Sequence, residues 1–165
     1  MKIRILLALV SLSAAFITPA FTQTAQDTAG TWTLVSVTLE RDGKKFEPYG
    51  TNPQGLFIKD ADGHVAVIIT KSDLPKFAGN DRMAGTPEEN KAIVQGSLAY
   101  FGTSKVNEAD KTSTTHIERC TFPNWNGTDR TSTFTLTGDE LVTTSTDMPT
   151  TGGQATAQLI WRRVK

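Results

Sequence analysis

Two histidines and one cysteine are the side chains of this sequence best suited to proton transfer or nucleophilic attack near neutrality. His116 and Glu118 stand two apart in Thr112 to Cys120, a threonine-rich run that reads as a strand. Alternate strand residues share a face with Cα atoms about 6.6 Å apart. The pair is therefore placed to orient a polar ligand group or to act as acid and base, if its face lines a cavity. The plainer reading is a hydrogen-bonded histidine on a solvated strand. Cys120 is four along from His116, about 13 Å on a strand, which is too far for a thiolate and imidazole dyad. His64 follows Asp60-Ala61-Asp62-Gly63, which opens like a calcium loop. The twelfth position, where such a loop needs a bidentate acid, is Lys71, so a hairpin turn is expected and no metal. Nothing in the chain matches a Gly-x-Ser-x-Gly elbow, a His-Glu-x-x-His helix or a glycine-rich phosphate loop, and no cofactor is expected.

Aromatic residues supply the other candidates. Tyr49, Phe57, Tyr100, Phe101, Phe122, Trp125 and Phe134 each suit a core as well as a pocket. Tyr100, Phe122 and Trp125 differ in falling at element ends, near the polar His116, Glu118 and Asn124. Apolar walls with a few polar groups are what a small-ligand site requires. The candidate ligand-binding residues are thus Tyr100, His116, Phe122, Asn124 and Trp125, with His116 and Glu118 the catalytic pair if there is catalysis. The stretch CTFPNWNGTDR, residues 120 to 130, is expected to turn at Asn126-Gly127 and fold Phe122 and Trp125 over a rim.

The elements that must position these groups are mostly strands. Asp42-Gly43, Asp60 to Gly63, Asn107 to Lys111, Asn126-Gly127, Thr137 to Asp139 and Gly152-Gly153 punctuate the chain at hairpin intervals. Between them lie runs rich in Thr, Val, Ile and Phe, from Trp32 to Leu39, Gly55 to Lys59, His64 to Thr70 and Thr103 to Val106. Thr112 to Cys120, Ser132 to Leu136, Leu141 to Ser145 and Ala155 to Val164 continue the series. Such spacing means an antiparallel barrel or sandwich. Thr86-Pro87-Glu88-Glu89 carries the cap, first-turn proline and capping-box glutamate of a helix. Ile93, Gly96 and Tyr100 follow at helical spacing, which predicts a helix over about 87–101. Lys71 to Gly85 has no period and reads as a long loop. Both faces of Thr112 to Cys120 are polar, as an edge strand or the wall of a wet barrel lumen would be.

Composition bounds the rest. Lys2 and Arg4 precede an apolar run from Ile5 to Ile17 ending in Thr18-Pro19-Ala20, the order of a secretory leader. The run is shorter than the roughly 20 residues that span a bilayer, so no stable membrane anchor is expected. A signal peptide over 1–22 is predicted, cut after Ala20 or alternatively after Thr22 or Ala25, with one domain over 23–165 in the periplasm or medium. Without Lys2 and Arg4 the chain has 15 basic and 17 acidic residues and no block of like charge, which argues against a nucleic-acid partner. A single cysteine leaves no intramolecular disulfide, so stability must come from the core. The oligomeric state stays open.

Gly30-Thr31-Trp32 is similar to the Gly-x-Trp opening of lipocalins. GTWTLVS at 30–36, YGTNPQGLFIKDADGHVAV at 49–67, AYFGT at 99–103 and FPNWNGT at 122–128 together resemble the bacterial and fungal lipocalin-like domain family. The resemblance implies an all-β, antiparallel calycin-like barrel of about eight to ten strands with one helix and a cavity for a small hydrophobic ligand. It also implies that Trp32 packs at the closed end against Arg162 or Arg163. Three functions fit: a carrier of a small hydrophobic molecule, a barrel isomerase or cyclase using His116 and Glu118, and an interaction module with a filled interior.

Overall fold

The computed structural model describes Thr24 and residues 26–165; the expected leader lies outside the described residues. Nine strands form where the β-branched and aromatic runs lie. They are β1 (Gly30–Arg41), β2 (Lys44–Phe46), β3 (Gln54–Lys59), β4 (His64–Thr70), β5 (Ser97–Asn107), β6 (Thr112–Cys120), β7 (Thr128–Thr137), β8 (Glu140–Thr150) and β9 (Gly153–Arg163). All neighbours are antiparallel, in the order β2-β1-β3-β4-β5-β6-β7-β8-β9. Pairing of β1 with β9, from Trp32 opposite Arg163 to Glu40 opposite Thr156, closes the sheet. The result is an eight-stranded barrel, with β2 a short flap hairpinned onto β1. The hairpin uses Asp42 and Gly43 at φ 53° and 72°, the left-handed pair that a two-residue turn needs.

Closure makes inside and outside a matter of parity. Trp32 and Leu34 of β1, Val67 and Ile69 of β4, Phe134 of β7, Leu141 of β8 and Trp161 of β9 face inward and build one buried cluster. Bulges shift that parity where the barrel must bend: one interrupts the β1–β9 ladder between Leu34 and Ser36, another the β5–β6 ladder at Phe101 and Gly102. At the second, Gly102 pairs with Ile117 and Phe101 with Arg119, leaving Glu118 as the extra residue. A side chain at Gly102 would overlap the His116 carbonyl oxygen, so the bulge requires glycine there.

The one α-helix among the described residues, α1 (Pro87–Gly96), starts where its capping box puts it: Thr86 Oγ1 accepts from Glu89 N–H, and Glu89 accepts from Thr86 N–H. It ends at Gly96 rather than near residue 101. Ser97 is already extended and opens β5, so Tyr100 sits on a strand, between Val67 and Cys120. The helical spacing of Ile93, Gly96 and Tyr100 loses to period two, because Leu98 gains a ladder partner on β4, and Tyr100 and Gly102 gain partners on both sides. β5 therefore runs well beyond the four residues, Thr103 to Val106, expected from sequence.

The barrel floor is sealed by a 3-10 turn (Gln26–Thr28). Trp32 is fully buried and donates from Nε1 to Thr28 O at 3.2 Å. Arg163, not Arg162, stacks on the indole, with Cζ 4.0 Å from the ring centroid. Its guanidinium also donates to Ala29 O and Asp27 O at 2.8 and 2.6 Å, tying the turn to the last strand.

Candidate ligand-binding site

The inner wall is made by the same parity rule. Tyr100 from β5, Ile117 from β6, Ser132 from β7, Thr143 from β8 and Leu159 from β9 point into an open chamber of about 610 Å³. That size is ordinary for a small-ligand site. Val37, Leu39 and Ile69 add apolar wall, and Tyr49 closes one side of the mouth. Below lies a narrower chamber of about 80 Å³, walled by Phe57, Phe134 and Trp161 but also by Lys59, Ser104 and Ser113. Tyr100, Thr115, Ser132, Thr143 and Leu159 line both, so the two chambers adjoin. The interior is not packed solid.

CTFPNWNGTDR forms the lid. A second 3-10 turn (Pro123–Trp125) starts on its proline, three residues after β6 ends. Asn126 Oδ1 accepts from Cys120 N at 2.7 Å, and Gly127 N donates to Ile117 O at 2.7 Å, closing the loop onto its own strand. Trp125 is thereby turned inward to 8% exposure. Its ring meets Phe122 edge-on at 5.7 Å and Tyr100 at 6.4 Å, contacts worth about 0.5–1.5 kcal/mol each. Arg130 covers its face, Cζ 4.7 Å from the centroid. Arg130 is in turn held by Asp147, at 2.7 Å from Oδ1 and 2.9 Å from the backbone oxygen. The carboxylate contact is an ion pair without an aligned hydrogen bond, so charge rather than direction holds it. Outside the lid, α1 and the β8–β9 turn flank a further cleft that shares Leu98, Phe122 and Trp125 with the chamber.

Of the residues singled out from sequence, Tyr100, Phe122 and Trp125 meet at this mouth. Asn124 is exposed and lines neither chamber. His116 and Glu118 do not face the lumen, because Thr115 and Ile117 occupy the inward positions of β6. His116 is half exposed on the outer wall, where Nδ1 meets Asp129 Oδ1, its cross-strand partner, at 2.7 Å. With Glu118 it borders only a shallow depression beside Phe101, Arg119 and Gly127. Proton transfer by this pair on a molecule held inside the barrel is thus not supported by the geometry. Neither histidine nor carboxylate is among the described residues lining the two chambers.

The groups that do reach the lumen have ionisation altered by burial. Burial among the barrel side chains, with a smaller push from Cys120, raises the Tyr100 phenol to about 12. Burial raises Tyr49 in the same sense. Lys59 is pulled below the usual lysine range by burial alone. Cys120 lies half-buried opposite Tyr100, its sulfur accepting from Phe122 N at 3.3 Å, which makes it a support of the lid. Away from the barrel lumen, Asp60, Asp62 and His64 bring exposed ligand atoms within 4.8 Å of one another. They act as a turn: Asp60 Oδ1 accepts from the Asp62 and His64 amides, and Oδ2 lies 2.8 Å from His64 Nδ1.

A closed antiparallel barrel around an open apolar chamber defines the calycin class, whose barrels hold small molecules in the lumen. The model of the lipocalin-like domain matches residues 29–164, and the chain belongs to that family. No curated protein matches it.

Proposed function

We propose that this protein is an exported carrier that binds a small, largely apolar molecule in the barrel lumen. The observation that carries this reading is the chamber of about 610 Å³, walled by aliphatic side chains and roofed by Trp125, Phe122 and Tyr100. Apolar enclosure gives affinity, and a few hydroxyls on the wall set orientation. Export rests on the leader-like order of Lys2, Arg4 and the apolar run to Ala20. Periplasm or medium is the corresponding location.

Native mass spectrometry of protein purified from its own host tests both parts. A retained small molecule and a mature chain beginning close after Ala20 are the expected result. An empty barrel, together with no thermal shift across a panel of lipophilic compounds, would overturn the carrier; an uncut N-terminus would overturn export.

A further inference from the structure

Lys59 is the one charged side chain in the buried set of described residues, at 5% exposure. It ends β3 and points into the narrow chamber, where Nζ donates to Thr28 Oγ1 at 3.0 Å. An ammonium has three hydrogens to place, and no carboxylate among the described residues forms an ion pair with this one. A buried cation without a counter-charge is costly. By contrast, the half-buried Arg130 has Asp147, and the half-buried Arg163 has two backbone carbonyls. Around Lys59 the wall is hydroxylic, with Ser104 and Ser113 sharing a hydrogen bond at 2.7 Å and Thr115 and Ser132 above them. These groups can donate to an anion as readily as to each other.

We infer that the ligand is an amphiphilic acid that enters head first, its carboxylate seated on Lys59 at the floor and its apolar body filling the wide chamber. The inference rests on the carrier reading above and adds the chemical class and the orientation. A single cation in a chamber of about 80 Å³ suits a compact monoanion. The mouth is a poor seat for the head group, since the Arg130 charge is already matched by Asp147 and the lid is aromatic. Burial alone lowers the Lys59 pKa, so an entering carboxylate would supply the favourable charge that the floor lacks.

Calorimetric titration of the wild-type protein with dodecanoic acid, its methyl ester and dodecanol is the test, repeated on Lys59→Met. The wild type is expected to bind the acid at least about tenfold more tightly than the ester or the alcohol. Lys59→Met is expected to erase that preference while keeping the ester affinity, since a long apolar side chain replaces the buried charge at similar volume. Equal binding of acid and ester by the wild type overturns the head-group inference and leaves the carrier standing. So does an acid preference that survives Lys59→Met, which would place the head group elsewhere. Binding of none of the three compounds overturns the head-group inference, whereas the carrier falls only with the empty barrel and the silent lipophilic panel described above. Because the acid and ester comparison is made on the wild type, the inference can fail without any variant.

Discussion

Arg163 Cζ lies 4.0 Å from the ring centroid of Trp32, directly across the β1–β9 seam that closes the barrel. The pair joins the first strand to the last, and the same guanidinium ties down the turn beneath them. Arg163→Ala is expected to cost about 2–4 kcal/mol in urea unfolding, from the lost ring contact and two charge-assisted hydrogen bonds. Arg163→Lys should recover only part of this, because an ammonium cannot reproduce the planar fork. Arg162→Ala, on the solvent side of the same strand, should stay within about 0.5 kcal/mol.

Trp125 gathers Phe122, Tyr100 and Arg130 around one indole at the mouth. Trp125→Ala is expected to weaken binding of a neutral lipophilic probe, N-phenylnaphthylamine, by about tenfold or more, which is roughly 1.4 kcal/mol. Asn124→Ala and His116→Ala should leave the affinity unchanged, because neither side chain reaches the chamber. Fluorescence titration distinguishes these outcomes, and a loss with His116→Ala would return that residue to the site.

Gly102 stands against the His116 carbonyl at the bulge that re-aims β6. Gly102→Ala should destabilise the fold by about 1–3 kcal/mol, as overpacking against backbone does. Gly79→Ala is the control, since a Cβ there meets nothing within 4 Å. It is expected to be neutral or to stabilise by up to about 1 kcal/mol through the unfolded chain. Thermal unfolding of the two variants checks both values.

The His64 pKa is raised by its hydrogen bond to Asp60 and by the carboxylate charge, while the same bond lowers Asp60. For a raised histidine, the stabilisation is full below the unfolded value and disappears as pH climbs through the folded one. For the lowered carboxylate it is present above the unfolded value and lost as pH falls through the folded one. In NMR titration the His64 ring should therefore turn over above the ordinary value of about 6.5, and Asp60→Asn should bring it back down. Both groups are exposed, so melting temperature should change little with this substitution.

Local chemistry decided the architecture in advance. The hairpin turns, the threonine and valine runs, the Thr86 capping box and the Gly30-Thr31-Trp32 opening each depend on neighbours a few residues away. The lid was legible for the same reason, since Pro123, Asn126 and Gly127 shape the turn that carries Trp125. Tertiary structure decided which way each strand faces. In β3 the sequence offers Leu56 and Ile58 as the apolar set, yet they are 40% and 45% exposed, while Gly55, Phe57 and Lys59 turn inward. In β6 two polar faces gave no preference, and pairing with β5 and β7 put Thr115 and Ile117 inside and His116 outside. A strand has two faces and no means of choosing between them alone; register with a partner far along the chain chooses, and one bulge reverses the choice. That is why the barrel and its lid could be read from the residues, while Lys59 at the floor and Arg163 beneath Trp32 were fixed only by the closed sheet.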